Sequence, residues 1–340
     1  MTLGQYPVMT LADAREAWRK ARKDAGEGRD PASKREATDF EGVAREWLQR
    51  DQAKNRTHDD VKRVVERELI PAWGQRPISD ISRRNILDLI DGIADRDAVT
   101  MARRVLAYVH RLLAWSVQRG IIEANPASNL PKPGSETKRD RVLSDAELKA
   151  VWSGAVKMGW PFGDAIRLLI LTGARREEIG GLRWSEIADT QICMSSDRTK
   201  GAKAHSIPLS KLALAIIETM PRIKGDEDFV FTITGSTTIS GWSKIKTDLD
   251  EYIGIEPWRI HDLKRTVATG LQRLGIGLQV IEAVLGHVSG SRGGVVGVYQ
   301  RHSFDKEKAA ALEAWGAHVA ALVEGKEPSN VLPLQGAKKR

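Results

Sequence analysis

A chain of 340 residues has room for two or three domains, each with a sizeable core. With 41% hydrophobic and 29% charged residues it has the composition of a folded protein, and a formal net charge of +8 favours a polyanionic partner. The lone cysteine, Cys193, excludes an intrachain disulfide framework and a cysteine-rich zinc site; it is expected in the core of a reduced, cytoplasmic protein.

The first element expected is a helix after Thr10, whose spacing to Asp13 matches a capping box, running to Gly26. It is too small to bury much alone. Apolar stripes at helical period then recur in VAREWLQR, THDDVKRVVERELIPAWG, SRRNILDLIDGI and TMARRVLAYVHRLLAWSVQRG. Together they predict an all-helical domain, with a turn forced inside it by Pro71, Gly74 and Pro77. The next stretch, EANPASNLPKPGSETKRD, has three prolines and no periodicity and reads as a linker.

A second domain opens at RVLSDAELKAVW, where Ser144 and Glu147 repeat the capping-box spacing. A helix through Ala165–Thr172 follows. Asp164 and Arg167 interrupt this most apolar region, so it is no membrane span. The first thirty residues are mixed charged and apolar, unlike a secretory signal. Around TQICMSSDRTKGAKAHSIPLS the period changes to short strands about a turn at Lys200–Gly201, and FVFTIT is expected to add another strand. Helices resume at Ser240 and continue through LEAWGAHVAALVEG, and KEPSNVLPLQGAKKR is expected as a flexible tail. The class is therefore mostly α, multidomain, with a small β-sheet in the second domain. Neither a GxxxxGKS/T loop nor a GxGxxG fingerprint is present.

Four stretches of the second domain carry groups able to act on a phosphate. LTGARREEIGGLRW sets Arg175 after a Thr-Gly break, with Glu178 one turn later. DRTKGAKAHSIPLS puts Lys200 at a hairpin tip. HDLKR supplies His261 and Lys264 one helical turn apart, on one face. LGHVSGSRGGVVGVYQRH places His287 and Tyr299 either side of a glycine-rich stretch. Taken singly each has an ordinary explanation: surface ion pairs, a solvated turn lysine, a capping histidine, a buried tyrosine with its hydroxyl bonded.

The set in its order resembles the tyrosine recombinases, the site-specific integrases of phages and mobile genetic elements. Their Thr-Gly-x-Arg with an acidic residue three later corresponds to Thr172, Gly173, Arg175 and Glu178. Their hairpin lysine corresponds to Lys200, their His-x-x-Arg box to His261–Lys264, their Leu-Gly-His to Leu285, Gly286 and His287, and their terminal tyrosine to Tyr299. The resemblance implies a C-terminal part of an arm-type DNA-binding domain over 1–35. A helical core-binding domain over 36–124, a linker over 125–140, a catalytic domain over 141–325 and a flexible tail over 326–340 follow.

It further implies two successive transesterifications at a DNA phosphodiester. Tyr299 attacks phosphorus and forms a 3′-phosphotyrosyl link, which conserves the bond energy so that no cofactor and no metal is needed. A phenol ionises near pH 10, so His261 is the group to manage its proton. Arg175 is the principal clamp for the charge growing on the non-bridging oxygens, and Glu178 orients the basic cluster. Lys200 is the candidate general acid for the departing 5′-hydroxyl, since lysine can release a proton where arginine effectively cannot. His287 adds a hydrogen bond to the phosphate. Tyr6, Tyr108 and Tyr252 fit the nucleophile less well by position.

The implied partners are double-stranded attachment-site DNA gripped between the two domains, three further copies of the chain in a tetramer, and bending or directionality factors. The stretch FDKEKAAALEAWGAHVAALV resembles the family's C-terminal helix, which docks on a neighbouring subunit, and reads equally as a helix folded on its own core; Ala310, Leu312, Trp315 and Val319 could serve either role. Membrane association is not implied. Lys264 departs from the pattern, because the family has arginine there as a second bidentate clamp, and lysine keeps the charge without the planar fork. That leaves an alternative: a catalytically weakened or inactive DNA-binding relative of the same fold. A second alternative is a type IB topoisomerase-like enzyme acting without a defined site.

Overall fold

The computed structural model describes residues 9–26, 39–134, 140–199, 203–286 and 303–326. The chain divides into two units, Met1–Thr137 and Lys138–Arg340. No helix among the described residues is long and apolar enough to cross a membrane.

In the first unit, α1 (Leu11–Gly26) starts as the capping-box spacing predicts. The Asp13 carboxylate accepts from the Thr10 hydroxyl at 2.6 Å, and the Asp13 amide donates to Thr10 Oγ1 at 3.2 Å. Next come α2 (Phe40–Trp47), α3 (His58–Val64), α4 (Ile70–Trp73), α5 (Arg83–Ala94) and α6 (Val99–Gln118). Their stripes close one core in which Phe40, Trp47, Leu69, Ile86, Ile90, Leu112 and Leu113 are buried, with Phe40 edge-on to Trp73 at 5.3 Å between ring centres. Each such side chain contributes about 1.5–3 kcal/mol on leaving water.

Two details differ from expectation. Pro71 lies within a continuous helical run rather than in a turn, directly after a π-helical turn over Val65–Leu69. That wider turn accommodates a ring that cannot donate and would clash with the carbonyl four residues back. The reversal comes later, at Gly74–Arg76. The stretch expected as a linker is tied to the helices as far as Gly134. Arg83 donates to the Ser128 and Asn129 carbonyls, Arg103 to Pro133, and Ala127 is buried.

The second unit is built around α8 (Phe162–Thr172), buried on nearly every side from Ala165 onward. Against it pack α7 (Asp145–Met158), α9 (Arg176–Gly180), α10 (Lys211–Glu218), α12 (Ile260–Arg273) and α14 (Asp305–Glu324), with α11 (Trp242–Ile253) on α7 and α13 (Leu278–Val284) beside α12. Ser144 caps α7 in a full capping box with Glu147. Gly270 lets α12 and α14 approach closely, because a Cβ there would lie 2.2 Å from the Trp315 ring. The Trp315 indole donates to the Ile170 carbonyl at 2.8 Å.

The apolar stripe of α14 packs onto its own unit. Ala311, Leu312, Trp315 and Val319 are buried in that core. Ala310 is exposed, and Lys308 takes the inward place, donating to the Ser206 carbonyl and hydroxyl at 3.0 and 2.8 Å.

The sheet is antiparallel, β1 (Ile187–Ala188), β2 (Gln191–Met194) and β3 (His205–Pro208), with Ile192 opposite Ile207 and Met194 opposite His205. Strand alternation points Ile192 and Met194 inward and so turns Cys193 outward, which corrects its expected core position. FVFTIT forms no strand. It makes one bridge, Phe229 to Arg183, and Val230 donates to the Leu182 carbonyl at 2.8 Å before Gly235 turns the chain at φ +76°. Val230 and Phe231 are nonetheless core residues. The tail over 327–340 and Tyr6 lie outside the described residues.

Candidate active site

The site begins where α8 ends. Thr172 turns its hydroxyl back onto the Leu168 carbonyl at 2.6 Å and accepts from the Ala174 amide. Gly173 then adopts the left-handed region at φ +62°, where a Cβ would also press within 3.0 Å of Val267 and Leu285. This turn makes Arg175 the residue before α9. Both oxygens of Glu178 reach back to it: Oε2 accepts from the Arg175 amide and Oε1 from Nη1, each at 2.7 Å. Glu178 is buried, only 4% exposed, while the Arg175 side chain stays 25% exposed. Burial pushes the Glu178 carboxyl up, but the bonds from Arg175 and the charges of Arg175 and Lys264 bring it below the usual range. The result is a guanidinium fixed at its root and open at its edge.

Ninety residues later α12 adds the second group. Asp262, fully buried, accepts from the Arg259 amide at 2.8 Å and pairs with Arg265. Thr266 donates to the Asp262 carbonyl and accepts from Leu143, which anchors α12 to the start of the unit. His261 is exposed at this helix start. Its partial burial and the neighbouring charges of Arg265, Lys264 and Arg175 hold it below the usual histidine pKa, so it is neutral at neutral pH and able to accept a proton.

Lys264 sits one turn on, as its spacing predicts, yet it is 5% exposed. Its Nζ donates to the Gly173 carbonyl at 2.7 Å and to the Leu285 carbonyl at 2.9 Å. Burial, reinforced by Arg175 and opposed by Glu178, lowers it to about 7. Arg265, adjacent in sequence, is turned to Asp262.

His205 on β3 completes the surroundings, and sequence reasoning missed it. Its Nε2 lies 3.1 Å from the Val284 carbonyl, and since a carbonyl only accepts, the ring proton is on Nε2. Burial, with Lys308 nearby, lowers its pKa to about 4. No local pattern marks His205, because the partner that gives it meaning is 79 residues away. Lys200 lies outside the described residues; the described residues flanking it are braced. Arg198 reaches Glu186 and the Gly181 carbonyl, and Thr199 Oγ1 bonds both the amide and the carbonyl of Lys203. His287 and Tyr299 also lie outside the described residues. The structure therefore brings together Arg175, Glu178, His261 and Lys264. Tyr252 is exposed under Lys157, and Tyr108 packs partly buried on the first unit's core. No cluster of metal-ligand type occurs among the described residues.

A helical unit joined to a second unit, in which helices pack about α8 beside a three-stranded sheet, is the fold of solved integrases. Lambda integrase bound as a dimer to a core site matches with a TM-score of 0.63 at 17% identity, over 76% of this chain and 98% of that one. Its tetramer on a Holliday junction matches equally at 0.63, over 83% of this chain and 90% of that one. The prophage integrase IntZ of Escherichia coli K12 is 26% identical across 95% of this chain and 84% of its own length, and the prophage integrase IntA of the same strain is 23% identical across 95% and 83%. Three family models match in order: an arm DNA-binding domain over 1–38, the phage integrase central domain over 40–132, and the phage integrase family over 148–305. The chain belongs to the phage integrase family, the tyrosine recombinases, enzymes of site-specific DNA strand exchange through a phosphotyrosyl intermediate.

Proposed function

We propose that this chain integrates and excises a mobile genetic element, with Tyr299 as nucleophile and the Arg175 neighbourhood as the phosphate site. The observation that carries the assignment of roles is the convergence of Arg175, His261 and Lys264 from segments about ninety residues apart, with Arg175 held by the buried Glu178. Phosphoryl transfer through a phenolate needs preorganised positive charge, and a side chain already fixed by a buried carboxylate need not reorganise as the reaction proceeds. Arg175 clamps two non-bridging oxygens. Neutral His261 takes the Tyr299 proton, Lys200 protonates the departing 5′-oxygen from the hairpin, and His287 adds a donor.

Residues 1–35 act as the end of an arm-binding domain, 36–124 as the core-binding domain, to which 125–134 are tied, and 141–325 as the catalytic domain. The partners are duplex attachment sites and, through four copies, a Holliday junction, as in the solved lambda integrase tetramer. The protein works in the cytoplasm, where bacterial DNA lies. The reading of a weakened relative is favoured by one observation: Lys264 spends two donors on carbonyls and not on an open surface.

A suicide duplex carrying the element's attachment site tests the reading. A covalent adduct on that duplex, with no relaxation of site-free supercoiled DNA, is expected. Absence of adduct from the unaltered chain contradicts it, and relaxation of site-free DNA points to a topoisomerase-like enzyme.

A further inference from the structure

We propose that Lys264 is a positioning residue: its ammonium joins the ends of α8 and α13 and thereby sets the turn from which Arg175 reaches the phosphate. The two carbonyls it binds come from different parts of the chain, Gly173 at 2.7 Å and Leu285 at 2.9 Å. Both follow the last turn of a helix, Gly173 after α8 and Leu285 after α13. Terminal carbonyls have no partner within their own helix, and the helix dipoles concentrate negative potential there. One cation between two such ends satisfies both. The Val284 carbonyl, immediately before Leu285, is taken by His205, so consecutive carbonyls at the end of α13 are each held by a side chain from another element.

The consequence for the site runs through Gly173. Two residues on from it Arg175 caps α9, and the left-handed Gly173 leaves no room for a Cβ between Val267 and Leu285. Fixing its carbonyl fixes the direction in which Arg175 leaves. The same bond to Leu285 fixes the approach to Gly286, beyond which lie His287 and Tyr299. The size of the group matters here. A compact ammonium fits between two carbonyls in a 5% exposed position, whereas a planar guanidinium is wider and presents a fork suited to a carboxylate or phosphate. Glu178, paired with Arg175, offsets part of the cost of burying the charge. Lysine at this place is then an adaptation to the gap, and arginine is not an improvement on it.

The proposal rests on the recombinase reading and is tested in single-turnover cleavage of the suicide duplex by the full chain. Lys264→Met should slow adduct formation by about 10², the usual penalty for a reacting group misplaced by an ångström, while attachment-site binding is retained. Lys264→Arg should cleave no faster than the unaltered chain. Combined with Arg175→Lys, Lys264→Met should add no further loss, because both changes damage the same placement. Losses that multiply, or faster cleavage by Lys264→Arg, would overturn the positioning role and restore a direct phosphate clamp. Thermal melting accompanies each variant; if Lys264→Met fails to fold, Lys264→Gln passes through the same cycle with the same two outcomes. Absence of adduct from the unaltered chain defeats the recombinase reading itself, whereas multiplying losses in an active enzyme defeat only this role.

Discussion

The two units bury very different things. Among the described residues of the helical unit the only buried polar side chains are Gln52 and Ser116, and ion pairs such as Arg45 with Glu41 lie at the surface. In the second unit Glu178, Asp262, Lys264 and Lys308 are all at most 5% exposed. Charge removed from water costs several kcal/mol per group unless paired, so a fold does not accumulate it without a compensating gain. The gain here is rigidity: Glu178 holds Arg175, Asp262 holds the start of α12, and Lys264 and Lys308 hold backbone. Stability in the first unit comes from apolar area, whereas the second spends part of its own on keeping a few donors in place.

The comparison is broken most forcefully at Arg175. Arg175→Ala should lower single-turnover cleavage by about 10³, the effect of losing a preorganised transition-state donor, and should also lower the melting temperature, because the buried Glu178 carboxylate loses its partner; near-normal cleavage would remove Arg175 from the site. Glu178→Gln should destabilise the chain by about 2 kcal/mol in denaturant unfolding, because the partly exposed Arg175 guanidinium loses its charge-assisted hydrogen bond, and should slow cleavage as well. A loss of stability without a loss of rate would reduce Glu178 to a structural residue.

Acid should expose the same asymmetry. His205 is lowered from 6.5 to about 4, so the unfolded chain takes up a proton through this range and the folded chain does not. That contribution is complete above pH 6.5 and lost as pH falls to about 4. Lys264, lowered from 10.5 to about 7, acts in the same direction between those values, so stability gains as pH rises from 7. Melting temperature should therefore rise between pH 4.5 and 9, and His205→Gln should flatten the acid limb; a profile unchanged by that substitution contradicts the assignment. The smallest effect is expected in the first unit, where Glu41→Gln at a solvent-exposed pair should cost less than about 0.5 kcal/mol.

How far the sequence could be read followed how local the determinants were. Thr10 with Asp13 and Ser144 with Glu147 announce helix starts within four residues, and the helices begin there. Arg175 and Glu178 likewise carry their relationship in their spacing. Cys193 faces outward because strand alternation outranks its apolar character, and Ala310 falls off the buried stripe because one step along a helix turns a side chain by about 100°. Pro71 suggests a turn together with Gly74 and Pro77, and nothing in the composition announces the π-helical turn that lets it lie inside a helical run. Lys264 is the instructive case. Its position on the helix face was legible, but its partners are carbonyls 91 and 21 residues away, and backbone carbonyls carry no mark in a sequence.

Formation of the covalent intermediate by the unaltered chain and by Tyr299→Phe, on the same suicide duplex, tests the central claim most directly. The account predicts an adduct from the first, mapped by peptide mass to Tyr299, and none from the second despite retained DNA binding. An adduct that survives the loss of the Tyr299 hydroxyl would contradict it.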